Sequence, residues 1–287
     1  MKKLHPQLIA VVFLLLLTSC KTTAVLLAEK YTNPLVLPVE ELCPEEIEWT
    51  NIEVADLPAE TFQMTGNIVK STNSQWKCIK IDLDTPGLEI AATPYREDLG
   101  KHFYLKQFAQ KNKTITAINT VPFDLDGRTY IPVSVVKIDG EIICPPTQLY
   151  AVLGITKKDG KLRATIRSTQ EAEQIAEFDY AFGGFFTILD NNRIFEFEKY
   201  KRSRSAAGIS DGGRFLYLFA GCGINCPTGR NGFNFEECAL ILQKLGCDSA
   251  MEFDGGHSTG LTLKNKNAVK PSLQRKVPAA FGIKISE

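Results

Sequence analysis

Gly246-Cys247-Asp248-Ser249-Ala250-Met251-Glu252-Phe253-Asp254-Gly255-Gly256-His257-Ser258-Thr259 ends one helix, runs a short strand and closes it on an acid followed by two glycines. Gly246 is placed to be the C′ glycine of the preceding helix, where a left-handed residue stops the turn. Two successive glycines, Gly255 and Gly256, let backbone N–H groups approach a ligand closely because no Cβ intervenes. A carboxylate at Asp254, beside such donors and the Ser258 hydroxyl, can hold a charged or sugar-like ligand. His257, one of three histidines in the chain, sits inside the same motif. An acid before two glycines also makes plain hairpin turns, and Asp211-Gly212-Gly213 is expected to be one.

Working outward, Asn234 to Leu245 is the clearest helix. Asn234 and Glu237 stand at capping-box spacing, and Cys238, Ala239, Leu240, Ile241 and Leu245 form an apolar face. Trp76 to Leu83, Leu88 to Ala92, Thr114 to Asn119, Ser249 to Phe253 and Ala280 to Ile285 read as strands, and Tyr104 to Lys111 as a short helix. Asp139-Gly140 predicts a type I′ hairpin between Ser134–Ile138 and Glu141–Ile143. Asp159-Gly160 and Asp211-Gly212-Gly213 predict two more. Many strands and few helices define an α+β domain with a mixed sheet over residues 46–287.

The N-terminus has a different character. Lys2 and Lys3 precede the uncharged apolar run Leu8 to Leu17. That run has the length of a signal-peptide core and falls short of the roughly 20 residues needed to span a bilayer. Leu17-Thr18-Ser19-Cys20 resembles a lipobox, which implies removal of the preceding residues, acylation of Cys20 and stable attachment to a membrane. Residues 1–20 are thus expected to be a lipoprotein signal peptide and 21–45 a tether. The chain is expected on a bacterial cell envelope, facing the periplasm or the cell surface. The charge balance, 33 basic against 33 acidic residues, excludes a basic footprint for nucleic acid.

Seven cysteines follow Cys20: Cys43, Cys78, Cys144, Cys222, Cys226, Cys238 and Cys247. An oxidising compartment favours disulfides, with Cys222 and Cys226 close enough for a local bridge, and the odd number leaves one thiol over. The last four lack paired C-x-x-C spacing, and Cys238 falls within a helical pattern, so zinc is not the expected reading.

The motif and its context resemble the phosphodiester glycosidase family. Gly246, Cys247, Ala250, Asp254, Gly255, Gly256 and Ser258 fit the family's G-C-x-x-A-x-x-x-D-G-G-x-S segment in order. Arg204-Ser205-Ala206-Ala207-Gly208 is similar to its R-T-A-x-G segment, and Gly232 to Glu237 to its helix start, with Asn234 in place of Thr. Tyr180-Ala181-Phe182-Gly183-Gly184 resembles its glycine-rich strand end, and Ala117-Ile118-Asn119 its A-x-N segment. The resemblance spans about residues 75–285. Thr120-Val121-Pro122-Phe123 departs from the small residues usual after that asparagine, so the loop has another shape, because Pro122 fixes its own φ and restricts Val121. The loop from Cys222 to Asn231 is particular to this chain.

The resemblance implies hydrolysis of a sugar-1-phosphodiester in an envelope or extracellular glycan. Asp254, Arg204 and Asn119 would be catalytic, with Gly255, Gly256, His257, Ser258, Gly183, Gly184 and Arg230 binding substrate. Arg204 can grip a phosphate bidentately; alternatively Lys201, Arg202 and Arg204 are a solvated basic run. A phosphomonoester, with a second pKa of about 6, leaves far more readily than an alkoxide, so one arginine and one carboxylate form a minimal pair. No cofactor is required, which leaves room for a divalent cation near Asp254. Two other readings are a non-catalytic glycan- or peptidoglycan-binding lipoprotein, favoured by the altered loop, and a structural or adhesion lipoprotein.

Overall fold

The computed structural model describes residues 47–53, 62–68, 74–197, 200–223 and 232–286. Cys20, the tether at 21–45, Cys43, Cys226 and Arg230 lie outside the described residues.

Three sheets and a small hairpin carry the strands. The largest runs in the order β1 (Ile47–Glu53), β2 (Phe62–Ile68), β3 (Ser74–Asp82), β16 (Phe215–Gly223), β15 (Arg204–Ser210), β17 (Ser249–Glu252), β13 (Thr187–Asp190) and β14 (Arg193–Ile194). A second runs β11 (Lys161–Arg167), β10 (Val152–Lys158), β12 (Tyr180–Gly183), β8 (Val136–Ile138) and β9 (Glu141–Cys144). The third runs β19 (Lys266–Val269), β18 (Leu261–Leu263), β5 (Thr116–Asn119), β20 (Ala280–Ile285) and β4 (Leu88–Thr93). β6 (Phe123–Asp126) and β7 (Thr129–Pro132) pair with each other. The helices are α1 (Leu105–Asn112), α2 (Ala172–Ala176) and α3 (Phe235–Lys244). The α+β class with few helices is as expected. The described ladders pair antiparallel, and tight turns join many of the strands.

The three sheets enclose one core. Ile79 and Ile81 of β3, Leu216 and Leu218 of β16 and Met251 of β17 meet Leu153, Phe182, Ile118 and Phe281 from the other two sheets. Phe182 and Phe281 stack at 4.6 Å. β16 is buried on both faces: Tyr217 and Phe219 point away from that core, and Phe219 packs against Trp76 and Phe233. Hence Phe215 to Ala220 is an unbroken apolar run rather than an alternating one.

The capping prediction for α3 holds in detail. The Asn234 side chain accepts from Glu237 N at 2.7 Å, and Glu237 accepts from Asn234 N at 2.9 Å. Gly246 takes φ +101° at the helix end. A Cβ on Gly208 of β15 would lie 2.5 Å from the Cys247 sulfur, so glycine lets the end of the helix settle against the sheet. The hairpins at Asp139-Gly140 and Asp159-Gly160 have positive φ at both residues, as type I′ turns demand.

Some expectations are corrected. Cys78, Cys144, Cys238 and Cys247 are buried, unbridged thiols, and burial pushes Cys144 up to about 11. The expected bridge from Cys222 involves Cys226, which is not among the described residues. β1 and β2 extend the sheet before Trp76, where no strand was anticipated; backbone pairing onto β3 fixes them, and their sequences carry no sustained alternation. Among the described residues no helix is long and apolar enough to cross a membrane.

Candidate active site

β17 ends at Glu252, and the chain continues through Phe253 into the acid-glycine motif. Asp254 is held there by its backbone. Its N–H donates to Thr120 O at 2.7 Å, and its carbonyl accepts from Asn119 Nδ2 at 2.6 Å. Asn119 Oδ1 accepts from Ser205 Oγ at 2.7 Å and from Gly260 N at 3.0 Å. One buried amide therefore ties the end of β5 to β15, to the motif and to the chain entering β18.

The two glycines are needed for different reasons. A Cβ on Gly255 would lie 2.8 Å from Ser203 O, and Gly256 sits at φ +61°. Gly256 N donates to Ser203 O at 2.7 Å, so the motif lies flat against the segment entering β15. The Asp254 side chain is nearly buried. Burial pushes its carboxyl above the usual aspartate range, while hydrogen bonds from Ser258 and Gly255 and the charge of Arg275 hold it down. Arg275 Nη2 reaches Asp254 Oδ2 at 3.1 Å, and Arg275 Nε donates to Ser258 Oγ at 2.6 Å. The same guanidinium lies 4.3 Å over the Phe123 ring.

Arg204 enters from β15 and is almost fully buried. Its Nε donates to Phe233 O at 3.0 Å and its Nη2 to Tyr200 O at 2.8 Å, with the guanidinium 4.0 Å over Phe235. A guanidinium carries five N–H donors, so those left on Nη1 and Nη2 can face a ligand. On the same face of the sheet stands Glu252, paired with Ala206 two residues along. Its side chain is fully buried, and neither carboxylate oxygen has a hydrogen-bonding partner of good geometry. Burial raises this carboxyl to about 7, against the pull of Arg204 and the neighbouring Cys238 thiol.

A cleft of about 370 Å³ opens over these groups, with Arg204, Asp254, Gly255, Gly256 and His257 in its wall beside Arg202, Arg275, Tyr200 and Phe185. This lies within the usual range for ligand pockets, about 300–1,000 Å³. The structure thus gathers five of the residues singled out from the sequence. Asn119 and Ser258 stand behind the wall and position it. Gly183 and Gly184 do not line the cleft. A Cβ on Gly183 would strike Ser134 Oγ and one on Gly184 would strike Glu252 O, so these glycines serve close packing of β12 and the residue after it, and Phe185 is what reaches the cleft. Arg230 lies outside the described residues.

Arg275 and Tyr200 carry no signal in the sequence. Arg275 lies in a stretch without periodicity and arrives through tertiary pairing, its N–H donating to His257 O at 2.9 Å and Val277 bridging to Phe103. Arg202 was visible as part of a basic run, with nothing to mark it as facing a cleft. Among the described residues no group of three or more His, Cys, Asp or Glu side chains gathers to hold a metal. A cation at Asp254 would meet a carboxylate already facing a guanidinium.

The fold is shared with proteins of low sequence identity. The catalytic domain of zebrafish N-acetylglucosamine-1-phosphodiester alpha-N-acetylglucosaminidase, described as auto-inhibited by its pro-peptide, superposes with a TM-score of 0.59 at 17% identity. That match covers 89% of this chain and 88% of the zebrafish domain. A hypothetical protein from Synechocystis superposes with a TM-score of 0.59 at 16% identity, over 84% of this chain. This chain spans 62% of the length of the Synechocystis protein. No curated protein matches the sequence significantly. The class is that of a β-rich, cleft-bearing fold shared with a glycosidase domain. The sequence matches the phosphodiester glycosidase family over residues 112–284, and the chain belongs to that family. Membership supports a glycosidase-type role.

Proposed function

We propose that the chain hydrolyses the C1–O bond of a sugar-1-phosphodiester, releasing the free sugar and a phosphomonoester. The observation that carries this is the buried Asp254 carboxylate, set in the cleft wall with Arg204 and Arg275. The phosphomonoester leaves with a second pKa of about 6, so guanidinium groups that neutralise it replace much of the work of a general acid. Arg204 binds the phosphate through the N–H groups left on Nη1 and Nη2. Asp254 faces the anomeric carbon and stabilises the oxocarbenium-like centre that glycoside cleavage develops. Water then adds to C1 and loses a proton, and the two bonds exchanged are C1–O(phosphate) for C1–OH. Asn119 is a positioning residue for Asp254 in this scheme. The scheme requires no cofactor.

The substrate class is a glycan-linked phosphodiester of the cell envelope or its surroundings, in keeping with a lipid anchor at Cys20. The experiment is release of free sugar from a panel of sugar-1-phosphodiesters by the soluble form lacking Cys20, beside Asp254→Asn. Release that disappears in the variant supports the reading. Glycan binding without release across the panel would instead indicate a binding lipoprotein. Loss of acyl labelling in Cys20→Ser checks the anchor separately.

A further inference from the structure

We propose that the cleft has a second anion subsite at Arg202, and that the substrate is a repeating sugar-phosphate chain whose neighbouring phosphate sits there. This rests on the glycosidase reading and specifies its substrate.

The arginines of the cleft differ in what already occupies them. Arg204 is buried against the carbonyls of Phe233 and Tyr200. Arg275 faces Asp254 and Ser258. Arg202 is exposed, lines the same cleft, and makes no side-chain hydrogen bond or ion pair with the described residues. Its sequence neighbour Lys201 is bound to Glu237 and turned away from that role.

Arg202 is nonetheless held in place. Its backbone forms a reciprocal bridge with Phe233, N–H to carbonyl at 3.0 Å and carbonyl to N–H at 2.8 Å. Gly232 packs so closely that a Cβ there would lie 2.3 Å from Arg202 O. Its guanidinium lies 4.5 Å over the Tyr200 ring. Contact with the ring restrains the guanidinium, and no described residue takes up its N–H groups, which a phosphate could bind bidentately.

Charge points the same way. Three guanidinium groups line the cleft, and Asp254 is the one carboxylate among its described lining residues. One diester contributes a single negative charge, so with Asp254 it offsets two of the three arginines. The chain as a whole carries no net charge, so this excess is local to the cleft. Glu252, behind Arg204, does not line the cleft and is itself buried without a hydrogen bond. A second phosphate one repeat along the substrate would supply the missing charge.

The test uses the full-length chain in detergent and two synthetic substrates with the same sugar. One has a single phosphodiester; the other carries a further phosphate on its aglycone. A charged hydrogen bond contributes about 1.5–3 kcal/mol, so the wild type is expected to favour the bis-phosphate by about tenfold or more in kcat/KM, mainly through KM. The preference should shrink with added salt. In Arg202→Gln the ratio between the two substrates should fall to near unity, and Arg202→Lys should keep part of it. Equal kcat/KM for both substrates in the wild type, or a preference that survives Arg202→Gln, overturns the proposal. If neither substrate turns over, the glycosidase reading fails and the subsite is judged by calorimetry with the intact bis-phosphate. A tenfold weaker Kd in Arg202→Gln then supports it, and an unchanged Kd overturns it.

Discussion

Asn119 Nδ2 donates to the carbonyl of Asp254 at 2.6 Å, across 135 residues of sequence, and so fixes where the carboxylate of the cleft can stand. The amide is fully used, since its oxygen accepts from Ser205 Oγ and Gly260 N. Asn119→Ala would leave two buried donors and one carbonyl without partners. At about 1–3 kcal/mol for each unsatisfied group, a loss of at least about 3 kcal/mol is expected. For a domain of this size that is a fall in Tm of roughly 6 °C or more, readable by thermal melting. Asn119→Asp keeps the acceptor and removes the donor to Asp254, so its folded fraction should lose kcat as well.

Asp254 and Arg275 predict a pH profile. Burial raises the Asp254 carboxyl, and Arg275 is among the groups that hold it down. If the ionised form is the active one, kcat/KM falls on acidification through a pKa above the usual aspartate value. Arg275→Gln removes a stabiliser of the carboxylate, so its acidic limb should move to higher pH. A limb that stays put in Arg275→Gln would show that Asp254 is not the titrating group.

Glu252 predicts how stability depends on pH. Its carboxyl rises from the ordinary 4.5 to about 7 in the folded protein, so the native state holds this proton more tightly than the unfolded chain. The stabilisation is complete below about pH 4.5 and is lost as pH rises to about 7. A shift of that size corresponds to at most about 3 kcal/mol. Glu252→Gln has no proton to lose there, so denaturant melts should show a smaller decline in stability from about pH 5 to about pH 8 than in the wild type.

Phe123 predicts a smaller effect at the cleft. It stacks between the Arg275 guanidinium and Tyr130, whose ring in turn lies 4.3 Å from His102. Phe123→Leu keeps apolar bulk and removes the ring face. A cation–π contact contributes about 0.5–2 kcal/mol, so kcat/KM should drop by about two- to thirtyfold. A larger collapse accompanied by a lower Tm would indicate a structural role for the β6–β7 hairpin instead.

Local chemistry made much of the fold legible. Asn234 and Glu237 mark a helix start because the caps they form involve residues three apart. Asp139-Gly140 and Asp159-Gly160 mark hairpins because few residues accept positive φ. The hairpin Phe123 to Pro132 is absent from the sequence reading, although Phe123 and Leu125 alternate with Asp124 and Asp126 and Gly127 takes the positive φ of the turn. What local pattern does not contain is its stacking on Arg275 and His102, which come from elsewhere in the chain.

The site divides along the same line. By itself, the sequence determined the acid-glycine motif, the position of Arg204 at the head of a strand and the relationship of both to one family, since each is written in residues a few positions apart. Tertiary structure alone decided that Asn119 braces Asp254 from behind, that Gly183 and Gly184 serve packing, and that Arg202, Tyr200 and Arg275 complete the cleft. The physical reason is that a side chain's partners are set by where strands meet, and Arg275 reaches Asp254 only because β17, β18 and β20 bring together segments that no local pattern connects.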